Sequence, residues 1–211
     1  MPVPFPIFTM DSDNQRIARF LTRYRFRCEP FSKDELTRSK TPDFRVFQGS
    51  NLAFFCEVKS IEQDRWLDDQ LSEALSGELA GGLQHDPVYN RVSNKVHEAV
   101  QQFDAVNLDR TRPNVLVFVN RDRMADYNDL GATLTGGIPL ERGGTFWGFS
   151  EYSDGRIREE KYRIDLYIWL DIWLDENCGK RKMYFTQAHE GHYDKLLGLL
   201  RIERAIVKQM V

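Results

Sequence analysis

The spacing of apolar residues changes period several times along the chain, and each change predicts an element. In NQRIARFLTRY, Ile17, Phe20, Leu21 and Tyr24 recur at three- and four-residue intervals, which predicts an amphipathic helix capped by Asp11, Ser12 or Asp13. Arg16, Arg19, Arg23 and Arg25 fall on its other faces. FRCEPF then reads as a short strand, and SKDELTRSKT, which has no apolar period, as a loop or a short helical turn. Phe44-Arg45-Val46-Phe47 and Leu52 to Lys59 are strand-like, with the turn cluster Gln48-Gly49-Ser50-Asn51 between them. Together they predict a β-hairpin. Residues 60–90 are acidic and partly helical (QLSEALSGELAGG), broken at Gly81-Gly82. Val92, Val96, Ala99, Val100 and Phe103 mark the stripe of a second helix, RVSNKVHEAVQQFDAV. After Pro113, NVLVFVN is a buried-strand signal. Strand, helix and strand in that order predict an α/β fold with the helix crossing over the sheet.

The second half reads less clearly. Residues 121–150 hold glycines at 131, 136, 137, 143, 144 and 148 and are expected to be a long loop or an insertion. Lys161 to Leu174 and Lys182 to Thr186 are expected strands. From His192 to Val211 the pattern of Leu196, Leu197, Leu200, Ile202 and Ile206 predicts a C-terminal helix. The chain contains no internal repeat and no heptad run.

At 211 residues the chain suits one domain: a core over about residues 11–120, and an extension, 121–211, that completes the sheet and adds the last helix. The net charge of -3 and pI near 5.9 argue against a uniformly basic nucleic-acid binder but leave room for a local basic face. From Arg16 to Arg45 there are nine basic residues against four acidic ones. Arg16, Arg19, Arg23 and Lys40 are the candidate phosphate contacts, and a solvated helix face is the alternative reading. Cys28, Cys56 and Cys178 are too few and too scattered for a zinc site or a disulfide framework. The N-terminal segment has no basic leader region, and the apolar stretch Ile164 to Leu174 is short and interrupted by Asp165 and Asp171. A soluble, cytoplasmic protein with no membrane segment is expected.

The candidate chemistry lies on the hairpin. Side chains alternate faces along a strand, so Glu57 and Lys59 share one face and Val58 points the other way. Hairpin pairing returns Asp43, at the mouth of the preceding strand, to the end of the Glu57 strand. Two carboxylates then converge with one ammonium. Such carboxylates hold a hard cation through oxygen, and the Val58 carbonyl is a further donor. The cation polarises a phosphoryl group, and Lys59 orients or deprotonates the attacking water or stabilises charge on the phosphate. The bland alternatives are an exposed edge-strand pair for Glu57 and Lys59, and a turn residue after proline for Asp43.

Thr41-Pro42-Asp43 followed by Cys56-Glu57-Val58-Lys59-Ser60 resembles the PD-(D/E)xK nuclease superfamily. The resemblance covers about residues 11–120. It implies a restriction-endonuclease-like core, a central mixed β-sheet flanked by helices in the order α-β-β-β-α-β. It also implies Asp43 and Glu57 as ligands of Mg²⁺, with Mn²⁺ as a substitute, and Lys59 as the catalytic lysine. In such families an auxiliary acid is often added, for which Asp13, Glu29 and Glu35 are candidates, and a polar residue from the following helix, for which Gln101 and Gln102 are. The expected activity is Mg²⁺-dependent hydrolysis of DNA, by an endonuclease or an exonuclease. A catalytically retired DNA-binding or assembly subunit is the alternative, and residues 121–211 offer a homodimer interface under either. His189-Glu190-Gly191-His192 lacks the spacing of a zinc protease motif, the paired glycines lack a phosphate-loop ending, and Trp147, Trp169 and Trp173 read as core or interface aromatics.

Overall fold

Ile17 and Leu21 are buried one helical turn apart, and the helix that carries them, α1 (Ser12–Arg23), lies along one face of a sheet. The computed structural model describes residues 12–63, 69–70, 72, 88–140, 143–147, 157–172, 182–187, 193–201 and 207–209. After α1 come β1 (Phe26–Pro30), a short helix α2 (Lys33–Arg38), β2 (Phe44–Gln48) and β3 (Asn51–Ile61). The polar segment SKDELTRSKT therefore does contain a helical turn. Ser32 caps it, and Glu35 answers with its carboxylate to the Ser32 amide. Gly49 sits in the β2–β3 turn at φ 62°, a conformation that costs glycine little.

α3 (Val88–Asn107) then crosses to β4 (Asn114–Asn120), which lies parallel to β3. All seven residues of β4 are buried, as its unbroken apolar run predicts for a central parallel strand. Chain order continues with α4 (Tyr127–Thr135), the two-residue strands β5 (Ile138–Pro139) and β6 (Thr145–Phe146), a 3₁₀ helix (Arg158–Arg163) and β7 (Leu166–Asp171). It ends with β8 (Lys182–Gln187), α5 (Tyr193–Leu200) and β9 (Val207–Gln209). The fold is α/β, with a mixed seven-stranded sheet in the order β1-β2-β3-β4-β7-β8-β9. α1 and α5 cover one face and α3 and α4 the other, each over its own hydrophobic cluster. Among the described residues no helix is long and apolar enough to cross a membrane.

Three sequence expectations need correction. The described residues of 121–150 are not a structureless loop. Asp126 caps α4 reciprocally with Asp129, Leu130 and Leu134 are buried one turn apart, and Gly136 ends the helix at φ 79°. The strand expected from Lys161 starts only at Leu166, because Lys161 to Arg163 belong to the 3₁₀ turn. The C-terminal helix stops at Leu200, Arg201 takes a left-handed φ of 53°, and residues 207–209 return to the sheet as a strand. Trp169 is fully buried, as expected of a core aromatic, whereas Trp147 is exposed. Most of 60–90, the His189–His192 motif, Trp173 and Cys178 lie outside the described residues.

Candidate active site

An irregularity in the hairpin sets which face each β3 side chain uses. Val46 pairs with Phe54 but Phe47 pairs with Leu52, so Ala53 is an extra residue on β3. Beyond this bulge, Phe54 and Cys56 face α1, while Phe55 and Ile61 face α3. By alternation Glu57 and Lys59 also face α3. The pairing of Phe44 with Cys56 leaves Asp43 opposite Glu57, where β2 begins.

The two acidic residues are cross-linked through backbone. The Asp43 amide donates to Glu57 Oε2 at 2.9 Å, and the Val58 amide donates to Asp43 Oδ2 at 2.8 Å. The N–H and C=O of one strand residue point to the same side. The Val58 carbonyl therefore faces the Asp43 side of β3 as well. Asn14, in the first turn of α1, donates to Asp43 Oδ1 at 2.8 Å.

Lys59 lies beside Glu57 on the same face of β3, with its ammonium held by three oxygens. Glu57 Oε1 is at 2.9 Å, Gln102 Oε1 at 2.8 Å and Glu98 Oε2 at 3.3 Å. Gln102 also donates to the Thr41 carbonyl at 2.9 Å. It therefore ties the loop that carries Asp43 to the strand that carries Lys59.

Burial and the neighbouring Asp43 carboxylate push the Glu57 carboxyl up to about 8, against the pull of Lys59. Burial alone would lower the Lys59 ammonium, but Glu57 and Glu98 outweigh it and raise the group above its ordinary value. With three oxygens around it, the Lys59 ammonium is arranged to stabilise negative charge.

The structure thus brings together Asp43, Glu57, Lys59, Gln102 and the Val58 carbonyl, and leaves other candidates elsewhere. Asp13 is on the α1 side, where it accepts from Ser60 Oγ at 2.6 Å and pairs with Arg121. Glu35 is bound by Arg45 and by its own cap, which hold its carboxyl down at about 2. Glu29 pairs with Arg27 on β1. Gln101 contacts the His97 ring at 2.7 Å, away from Lys59. Arg19, Arg23 and Lys40 are exposed and Arg16 is half-buried. Asn14 and Glu98 are contacts that strand and motif spacing did not reveal.

The donor chemistry suits a hard cation, since two carboxylates and a carbonyl offer only oxygen. Among the described residues no group of three or more His, Cys, Asp or Glu side chains gathers at metal-binding distance, so the carbonyl counts in this set. A buried carboxyl destabilised by a second carboxylate is also a place where a cation relieves repulsion. No protein-family model, curated protein or solved structure matches the chain.

Proposed function

We propose that this protein is a Mg²⁺-dependent nuclease that hydrolyses DNA phosphodiester bonds, with a PD-(D/E)xK type of site on a restriction-endonuclease-like core. One observation carries the reading: Asp43, Glu57 and Lys59 converge at the end of the β2–β3 hairpin, linked through the Asp43 and Val58 amides. The order α1-β1-β2-β3-α3-β4 supports it, because it contains the α-β-β-β-α-β order that the motif resemblance implies, with the short α2 and the helical residues 69–70 and 72 added among the described residues.

Asp43, Glu57 and the Val58 carbonyl would hold the cation. When bound, Mg²⁺ polarises the phosphoryl group and lowers the pKa of attacking water. The protein supplies the rest. The Lys59 ammonium, held by Glu57, Gln102 and Glu98, places a positive charge where the phosphate gains negative charge. Gln102 holds that charge in place from α3 and fixes the loop before Asp43. Asn14 holds the second Asp43 oxygen. Water attacks phosphorus and gives up a proton to bulk solvent, the P–O bond to the leaving sugar oxygen breaks, that oxygen takes a proton from solvent, and the phosphate stays on the other fragment. Exposed Arg19, Arg23 and Lys40 are available to the DNA backbone, which makes binding salt-dependent.

The test is cleavage of linear, nicked, branched and single-stranded DNA in Mg²⁺ or Mn²⁺. Asp43→Ala and Lys59→Ala should abolish cutting and leave the fold intact. A normal rate in either variant refutes the site.

A further inference from the structure

Lys59 offers three N–H bonds and meets three acceptors, of which two come from one helix. Glu98 and Gln102 are four residues apart on α3, so they stack one turn above the other on the same side. Gln102 is anchored by the Thr41 carbonyl. Among the described residues Glu98 has no such anchor, and it is the most exposed of the three acceptors, with 47% of its side chain accessible against 13% for Lys59. It also lies 3.6 Å from Lys95 Nζ, one turn earlier on α3.

We propose that Glu98 is a positioning residue that keeps the Lys59 ammonium aimed when Glu57 is engaged in catalysis; this rests on the nuclease reading above. The reason is an acceptor count. Glu57 is the Lys59 partner that the chemistry also needs as a cation ligand. A cation that draws on the Glu57 carboxylate weakens its hold on Lys59. Glu98 and Gln102 then retain two of the three N–H bonds and fix the direction of the third, which is left for a phosphate oxygen or the attacking water. Without Glu98 only Gln102 remains, and a single neutral acceptor lets a long side chain pivot. Lys95 neutralises part of the Glu98 charge, so the carboxylate sits near the site at a reduced cost in repulsion toward a polyanion.

The effect runs through Lys59, so it is read in two ways. The first needs no catalysis: solvent exchange of the Lys59 ammonium protons, followed by ¹H–¹⁵N NMR on the protein with and without Mg²⁺. Glu98→Ala should speed that exchange severalfold, Glu98→Gln, which keeps an acceptor, much less, and Lys95→Ala should not speed it. The second is steady-state cleavage. Glu98→Ala should lower kcat by about tenfold with KM unchanged, in the range seen when partners of site ligands are removed, and Glu98→Gln should recover most of the loss. Unchanged Lys59 exchange in Glu98→Ala overturns the proposal whatever the cleavage rates. A rise in KM at constant kcat also overturns it, because Glu98 would then act on substrate binding. If the wild-type protein cuts nothing, the nuclease reading falls, and the exchange measurement still decides whether Glu98 holds Lys59.

Discussion

The backbone amide of Asp43 donates to the Glu57 carboxylate at 2.9 Å, so the residue that brings one acid to the site also holds the other. This contact is partly buried, and burial together with the Asp43 carboxylate pushes the Glu57 carboxyl up from 4.5 to about 8. A carboxyl whose pKa is higher folded than unfolded favours the fold in its protonated form. That contribution is complete below about 4.5 and is lost as pH rises through about 8. The urea midpoint of the metal-free protein in EDTA should therefore fall between these pH values, and Glu57→Gln should remove that part of the slope. Parallel slopes for the two proteins would contradict the assignment. Mg²⁺ should stabilise the wild type more at high pH than at low pH, because the cation takes the deprotonated ligand.

Gln102 bridges Lys59 and the Thr41 carbonyl, so Gln102→Ala removes both links at once. The expected cost is about ten- to a hundredfold in kcat, the range for a partner that orients a site residue. Gln101→Ala should leave kcat near wild type, because its amide contacts His97. Equal losses in the two variants would show that the α3 contact is not specific.

Asp13 separates a structural acid from a ligand. It is buried, accepts from Ser60 and pairs with Arg121 on the α1 side of β3. Asp13→Asn should destabilise the fold by about 2 kcal/mol, the scale of a hydrogen bond to a charged group, because Arg121 is partly exposed and keeps Glu62 at 3.6 Å. At temperatures where the variant is folded, its cleavage rate should be close to wild type. A folded but inactive variant would instead place Asp13 among the cation ligands.

The N-terminus of α4 gives a purely structural check. Asp126 accepts from the amides of Asn128 and Asp129, and Asp129 returns a bond to the Asp126 amide. Asp126→Ala should cost about 1 kcal/mol in urea unfolding, as loss of an N-cap does. No change in midpoint would mean that α4 adds little to the folding of the sheet.

How much of this was legible in the sequence depends on the range of the interaction. Helix stripes and buried strands are local, and α1, β2, β3, α3 and β4 follow from them. The Pro-Asp and Glu-x-Lys pieces were close enough for hairpin pairing to join them. The sequence did not reveal the bulge at Ala53, since one extra residue leaves the strand pattern readable. α4 was hidden because its short apolar run sits among glycines that suggest loop, although Asp126, Asp129 and Gly136 mark its ends. Helix periodicity alone separates Gln101 from Gln102. At about 100° per residue, Gln101 falls opposite the stripe of Val92, Val96, Ala99 and Phe103, whereas Lys95, Glu98 and Gln102 share one flank of it. The pairings of Asp13 with Arg121 and of Asn14 with Asp43 join distant segments and depend on how α1 docks, which periodicity does not specify.

The most direct test of the account is calorimetric titration of Mg²⁺ or Mn²⁺ into the protein, run beside a cleavage assay on the same preparations. The account predicts metal binding and metal-dependent DNA cutting by the wild type. It predicts binding without cutting by Lys59→Ala, and neither by the Asp43→Ala, Glu57→Ala double variant. Cutting that survives loss of both carboxylates, or a wild type that neither binds metal nor cuts, would contradict it.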